Sequence, residues 1–121
     1  MPNGNYLALT ANAREIENYY TSETDPDAPR ATQKVVGDKI VEFTPQGEIV
    51  WDWNTFDHLD IWRFGYLLTE VYWHTRGFPG HYDWTHGNGV SYDPHDDSVL
   101  ISLRHQDAVI KIDKASKEII W

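Results

Sequence analysis

The stretch from Asp83 to Gln106 reads D-W-T-H-G-N-G-V-S-Y-D-P-H-D-D-S-V-L-I-S-L-R-H-Q. Two strand-like segments flank a polar run, which is the pattern of a β-hairpin with its turn at Asp93–Asp97. In such a hairpin the start of the first strand and the end of the second are neighbours in space. The stretch therefore predicts antiparallel β-structure and places its polar ends side by side.

Polar side chains occupy both of these strand ends. His86 and Asn88 are two residues apart, so in an extended chain they point to the same side. Arg104 and His105 close the second strand. The predicted convergence of an imidazole, a carboxamide and a guanidinium suits the binding of an oxyanion. The alternatives are structural: Arg104 could pair with Asp107, and Asn88 could be a turn residue between two glycines.

Composition limits the classes of protein to which the chain can belong. Its 121 residues make at most one domain, and a hydrophobic content of 40% indicates a folded chain. Six Trp, seven Tyr and four Phe favour β-rich structure. The net charge of -9 argues against nucleic acid or an anionic membrane as a partner. Without Cys, neither disulfides nor thiolate zinc sites can form. No signal peptide and no membrane-spanning run are recognised in the sequence.

An internal repeat extends the hairpin to a larger unit. The matching segments are P-N-G-N-Y-L-A-L-T at 2–10 with P-H-D-D-S-V-L-I-S at 94–102, D-K-I-V-E-F at 38–43 with D-A-V-I-K-I at 107–112, and E-I-V-W at 48–51 with E-I-I-W at 118–121. A repeated four-stranded unit of about 40–50 residues is typical of a β-propeller blade. The alternative is a two-hairpin sandwich with coincidental similarity.

These repeats predict an all-β chain, a β-propeller fragment of about two four-stranded antiparallel blades. Residues 1–53 form an incomplete blade with an insertion at 15–36, 54–83 a long aromatic inter-blade loop, and 84–121 a near-complete blade. Within the insertion we expect Glu15–Arg30 to be a solvated acidic loop. Since a propeller ring needs at least four blades, we expect a fragment of a longer protein, or self-association through open blade edges.

Two further segments carry structural predictions. The strands of the second blade are predicted near Gly89–Tyr92, Ser98–Leu103, Ala108–Asp113 and Glu118–Trp121. In the inter-blade loop, Asp60–Leu68 is predicted to form a helical turn or two, and the loop is aromatic enough to be ordered. Long ordered loops on a rigid scaffold commonly carry binding residues.

Taken together, these motifs resemble the bacterial arylsulfate sulfotransferase family, whose members are six-bladed β-propellers. The likeness is strongest over 83–113, where H-x-N is followed by S-x-R-H-Q, and it includes P-N-G-N-Y-L-A-L and F-D-H-L-D. The resemblance implies sulfuryl transfer from an aryl sulfate ester to a phenol acceptor, with no nucleotide donor and no cofactor. It also implies export to the periplasm or secretion.

The same resemblance implies roles for individual residues. His86 and Arg104 would be catalytic, and Asn88, His58 and His105 would bind substrate, with blade packing as the alternative for His105. The family's nucleophilic histidine is expected on a later blade, outside the chain.

A metal site and a different function are the two alternatives to this interpretation. The acidic and histidine residues that could be metal ligands are Asp57, His58, His81, Asp83 and His86. Their spacing matches no standard ligand pattern, so no metal site is predicted. An alternative function is a non-catalytic propeller that binds a ligand or a protein on its aromatic loops. A third arrangement is a ring closed by several copies of the chain.

Overall fold

The computed structural model describes residues 1–65 and 71–121, which form two β-sheets joined by a segment with short helices. The elements are β1 (Tyr6–Tyr19), β2 (Ala31–Phe43), β3 (Ile49–Asn54), α1 (Thr55–His58), α2 (Val71–His74), β4 (Tyr82–Asp83), β5 (Gly87–Asp93), β6 (Ser98–Leu103), a 3-10 turn (Arg104–Gln106) and β7 (Ala108–Asp113). The prediction of an all-β chain is confirmed.

The first sheet has β2 at its centre. β1 and β3 pair antiparallel with β2 on its two sides, and the short β4 adds a parallel pair at Val36 and Asp83. The backbone N–H of Trp84 continues this pairing by donating to the carbonyl of Val36 at 2.9 Å. The chain therefore returns to the first sheet just before it enters the second one.

The prediction of a solvated acidic loop over Glu15–Arg30 is wrong for its first part. β1 continues to Tyr19 and pairs with β2 as far as Ala31, so the loop itself is confined to 20–30. The extension is stable because one face of the ribbon is apolar: Tyr19 and Val35 are buried against Trp84, while the charged side chains face solvent.

The second sheet contains the predicted hairpin. β5 and β6 pair from Gly87 opposite Leu103 to Asp93 opposite Ser98, and β6 pairs antiparallel with β7. Three of the strands predicted for this half are therefore confirmed. The fourth, Glu118–Trp121, lies beside β7 through a single bridge between Ile112 and Ile119 and through backbone hydrogen bonds.

The main core lies between the two sheets. The buried residues of this core are Ile40 and Trp53 from the first sheet and Val99, Ile101, Leu103, Ile110 and Ile112 from the second. The indoles of Trp51 and Trp53 also donate to the carbonyls of Lys114 and Lys117, at 2.8 and 3.0 Å. Because burying one such apolar side chain contributes about 1.5–3 kcal/mol, this interface holds the sheets together.

The aromatic segment between the sheets differs from its prediction. Its first helix is α1, capped by the side chain of Asn54, which accepts from the N–H of Phe56 at 3.1 Å. No helix occurs at 60–65, and the rest of the predicted Asp60–Leu68 helix lies outside the described residues. Among residues 1–65 and 71–121, no helix is long and apolar enough to cross a membrane.

Candidate functional site

A cavity of about 340 Å³ opens where β1, α2 and the start of β5 meet. The described residues that line it are Leu9, Tyr72, Trp73, His86, Gly87 and Asn88. It therefore combines an imidazole and a carboxamide with an aromatic wall. Two of the predicted site residues, His86 and Asn88, are brought together here.

The backbone at His86 is not extended as the sequence predicted. Its φ is +47°, in the left-handed region, and the pairing of β5 with β6 is irregular between Gly87 and Gly89. A left-handed φ is uncommon for residues other than glycine. The turn nevertheless leaves both His86 and Asn88 on the cavity.

Three backbone contacts hold this turn in place. The N–H of Arg104 donates to the carbonyl of His86 at 3.1 Å, and the N–H of His105 donates to the carbonyl of Thr85 at 3.2 Å. From the first sheet, the carboxylate of Asp38 accepts the N–H of Gly87 at 2.6 Å. The position of the H-x-N motif is thus fixed by both sheets.

Asp38 is itself buried in a polar cluster. Its carboxylate also accepts the hydroxyl of Thr85 at 2.6 Å, and its backbone N–H donates to the hydroxyls of Thr55 and Thr85. Burial raises the pKa of Asp38 above its ordinary value, although the hydrogen bonds from Thr85 and Gly87 oppose the increase. Asp38 therefore fixes the backbone of Gly87 and the side chain of Thr85 to the first sheet.

Asp83, His86 and His105 form a second buried cluster beside the cavity. The Asp83 carboxylate contacts Nδ1 of His86, and the backbone carbonyl of Asp83 accepts from Nδ1 of His105 at 2.7 Å. The two imidazole rings lie 4.7 Å apart between centroids. Asp83 and His105 are almost fully buried, whereas the side chain of His86 is 15% exposed.

One atom from each of these three residues lies within 4.8 Å of the others, so together they could offer a metal ion three ligands. This set differs from the one considered in the sequence, because His105 takes part and His58 does not. Nδ1 of each imidazole is already engaged by Asp83. The contacts therefore describe a hydrogen-bonded cluster.

Arg104 lies next to the turn but not in a strand. β6 ends at Leu103, and Arg104 begins the 3-10 turn, which corrects the prediction that Arg104 and His105 close the strand. Its side chain is exposed. Among the described residues, the guanidinium forms no ion pair with Asp107 and no side-chain hydrogen bond. The backbone of Arg104 is thus held beside His86, although Arg104 is not among the described lining residues of the cavity.

The aromatic wall of the cavity consists of Tyr72 and Trp73. Sequence reasoning predicted an aromatic inter-blade loop but did not single out these two residues. The ring centroid of Tyr72 lies 5.8 Å from that of His86, and the guanidinium of Arg76 lies over the ring of Tyr72, 3.8 Å from its centroid. Trp73 packs edge-on against Tyr72 at 5.0 Å and is buried, and its indole N–H has no hydrogen-bond partner among the described residues. The only sequence signal for this wall was the aromatic content of 54–83.

Comparison with known proteins identifies the family. The family model described as Arylsulfotransferase (ASST) matches residues 1–121, the whole of the chain. The chain belongs to the arylsulfotransferase family. No curated protein and no solved structure gives a significant match. The family resemblance drawn from the motifs is confirmed, and the family suggests transfer from aryl sulfates to phenols in general.

In this arylsulfotransferase chain, His58 lies away from His86. Its ring stacks on Trp53 at 4.7 Å with an interplanar angle of 11°, and it lines a separate cavity of about 160 Å³ with Arg63 and Gln106. A substrate contact of His58 stays a prediction. His105 contacts the backbone of Asp83 and the ring of His86, and its substrate contact also stays a prediction.

Proposed function

We propose that this chain carries a sulfate-binding part of a site for sulfuryl transfer from an aryl sulfate to a phenol. In this proposal His86 and Arg104 are catalytic, and Asn88 binds the sulfate group. The observation that carries it is the cavity that joins His86 and Asn88 to an aromatic wall, in a chain whose whole length matches the arylsulfotransferase family.

The chemistry of these side chains fits the reaction. In sulfuryl transfer, as in phosphoryl transfer, negative charge spreads over the peripheral oxygens while the attacking and leaving atoms are in line. The amide of Asn88 and the planar fork of Arg104 can donate hydrogen bonds to those oxygens. One well-placed donor of this kind is worth about 3–4 kcal/mol in the transition state. His86 can protonate the departing phenolate.

The aromatic wall supplies a place for the ring of the substrate. Tyr72 is 46% exposed and lines the cavity beside His86. Offset or edge-on contact between two aromatic rings contributes about 0.5–1.5 kcal/mol beyond the burial of area. We assign Tyr72 and Trp73 to the aryl group, with the sulfate directed toward His86 and Asn88.

We also infer that the two sheets are consecutive blades of a β-propeller, with 54–83 as the connection between them. In support, β1 begins at Tyr6 and β6 at Ser98, which are equivalent positions of the repeat. The outer face of the second sheet carries a shallow, largely apolar groove of about 230 Å³ that includes Leu100 and Val109. A further blade would cover this face. The nucleophilic histidine implied by the family would come from such a blade.

Binding of an aryl sulfate to the 121-residue chain tests the proposal. We expect 4-nitrophenyl sulfate to shift the NMR signals of His86 and Asn88, and Asn88→Ala or Arg104→Gln to weaken binding about tenfold, since a hydrogen bond to a charged group is worth about 1.5–3 kcal/mol. Arg14→Gln is the control, because Arg14 pairs with Asp57 on the surface. A folded chain that binds no aryl sulfate, or binds it equally well in all variants, would contradict the proposal.

An assay for transfer separates the proposal from the non-catalytic alternative. The chain is incubated with 4-nitrophenyl sulfate and an acceptor phenol, and the appearance of the phenyl sulfate product is followed. If the nucleophile lies on another blade, we expect binding without turnover. Binding of unrelated ligands at the aromatic wall, with no preference for the sulfate ester, would favour the binding module.

A further inference from the structure

We propose that Asp83 is the positioning residue of His86, holding its Nδ1 so that Nε2 is the nitrogen that acts in the cavity. This inference deepens the proposed function and rests on it for the role of His86. Its structural part, the choice of ring nitrogen, can be tested without any transfer activity.

The position of Asp83 is fixed independently of His86. Its backbone pairs with Val36 of β2, and the next residue, Trp84, donates to the carbonyl of Val36 at 2.9 Å. The indole of Trp84 donates to the carbonyl of Arg63 at 2.8 Å, and its carbonyl accepts from the side chain of Gln106. The carboxylate therefore meets His86 from a rigid, fully buried site.

The contact between Asp83 and His86 selects one form of the imidazole. A carboxylate can only accept hydrogen bonds, so Nδ1 of His86 must carry the hydrogen in this contact. The second ring nitrogen, Nε2, is then the one that can exchange a proton with a substrate. This is the arrangement by which a buried acid sets the tautomer of a catalytic histidine in other enzymes.

His105 supports the same arrangement from behind. Its Nδ1 donates to the backbone carbonyl of Asp83, and its ring lies 4.7 Å from that of His86 with a tilt of 36°. The ring of Tyr72 is a second neighbour, 5.8 Å from that of His86. The imidazole of His86 therefore has ring neighbours in addition to its contact with Asp83.

The other oxygen of the carboxylate gives an independent reason for a functional role. Oδ1 of Asp83 is buried and has no hydrogen-bond donor within 1–65 and 71–121. An unsatisfied buried oxygen costs about 1–3 kcal/mol, and a site that only needed packing would be served as well by an apolar side chain. The carboxylate is therefore kept at this position for its contact with Nδ1 of His86.

The proposed step balances as follows. As the bond between sulfur and the aryl oxygen breaks, the phenolate oxygen takes the proton from Nε2 of His86, and the sulfuryl group passes to the nucleophile on the other blade. His86 is left neutral with its hydrogen still on Nδ1, and Asp83 stays a carboxylate. When the acceptor phenol attacks sulfur, its hydroxyl proton returns to Nε2. Asp83 neither gains nor loses a proton.

Nitrogen-15 NMR of the imidazole rings in the 121-residue chain tests the inference. In the wild-type chain we expect the neutral form of His86 to carry its hydrogen on Nδ1. In Asp83→Asn the amide can donate to Nδ1, so we expect the hydrogen to move to Nε2 and the Nδ1–H signal of His86 to be lost. Asp57→Asn, which removes an exposed carboxylate, should leave the signal unchanged.

The result that would overturn the inference needs no variant. A wild-type His86 with its hydrogen on Nε2 would exclude the proposed positioning even if Asp83→Asn failed to fold. An unchanged tautomer in a folded Asp83→Asn chain would also overturn it. Loss of both Nδ1–H signals on addition of one equivalent of Zn²⁺ would show that the cluster binds metal instead. Failure of the proposed function would appear separately, as no binding of aryl sulfate by a chain with the expected tautomer.

Discussion

The carboxylate of Asp38 accepts the backbone N–H of Gly87 at 2.6 Å, across the boundary between the two sheets. Gly87 is the residue between His86 and Asn88, so this bond connects β2 directly to the H-x-N motif. A Cβ added at Gly87 would lie 2.8 Å from Cγ of Asp38. The close approach of the two chains therefore requires glycine at this position.

We expect Gly87→Ala to displace the motif and to lower the free energy of unfolding by about 2 kcal/mol, since a hydrogen bond to a charged group is worth about 1.5–3 kcal/mol. Urea unfolding measures the loss. Gly89→Ala is the matched control, because its Cβ would lie 3.7 Å from Cβ of Ser102, an ordinary contact. Equal losses in the two variants would show that the Asp38 contact has no special weight.

Another buried carboxylate, that of Glu42, makes the stability of the fold depend on pH. Glu42 is 1% exposed, and it accepts hydrogen bonds from Asn3 and Asn5, each at 2.7 Å, while Lys114 lies 2.7 Å from its other oxygen. Burial would raise the pKa of Glu42, but these partners outweigh it and the pKa lies below its ordinary value. The folded state thus holds this proton less tightly than the unfolded state.

By linkage, the stabilisation from Glu42 is present above its ordinary pKa and is lost as the pH falls through the lower pKa of the folded state. We expect Glu42→Gln to cost about 3 kcal/mol at neutral pH, because it leaves Lys114 without its partner. It should also make the acid limb of stability shallower. The measurement is urea unfolding between neutral and acid pH. The exposed Glu48→Gln is the control, and an acid limb as steep as that of the wild type would contradict the role of Glu42.

The wall of the cavity predicts a separation between ring binding and sulfate binding. We expect Tyr72→Ala to weaken 4-nitrophenyl sulfate about fivefold, since an aromatic contact is worth about 1 kcal/mol. The affinity for inorganic sulfate should not change. NMR titrations with both ligands make the comparison. Tyr6→Ala serves as the control, because Tyr6 is 57% exposed and stacks on Phe43 in the first sheet. Equal weakening of both ligands by Tyr72→Ala would contradict an aryl-binding wall.

The interface of the two sheets should be sensitive to the loss of a single indole. Trp53 is 1% exposed and donates to the carbonyl of Lys117, so we expect Trp53→Ala to cost about 3–5 kcal/mol. Trp121→Ala should change little, because Trp121 is 60% exposed and its one backbone contact with Lys111 is kept. Chemical denaturation of both variants decides whether the core joins the sheets.

Much of the second sheet could be predicted from its residue pattern. The predictions that were wrong, such as the loop over Glu15–Arg30, have physical causes. The hairpin was predictable because two strand-like segments flank the polar run at Asp93–Asp97. The extension of β1 was missed since Glu15–Tyr19 is dominated by charged and polar side chains, and its apolar face shows only where Tyr19 packs with Val35 and Trp84. A two-stranded ribbon with one solvated face looks like a loop in composition.

In the candidate site, too, some features were predicted from the sequence and others were missed. The convergence of His86 and Asn88 on one cavity was predicted, but from an extended backbone that His86 does not have. Asp83 was noticed only as an acid near histidines, because residues three apart on a strand point to opposite faces. The turn at His86 brings them together, and the 3-10 turn at Arg104–Gln106 brings in His105. Neither turn has a signal in local composition.

The left-handed backbone of His86 has a consequence for directed evolution. Glycine adopts a φ of +47° with less strain than histidine does, because it has no Cβ. A library at position 86 that is screened for thermal resistance alone should therefore enrich glycine, while a library screened for turnover should retain histidine. The two screens would pull this position in opposite directions, a trade-off between robustness and activity located in one backbone angle.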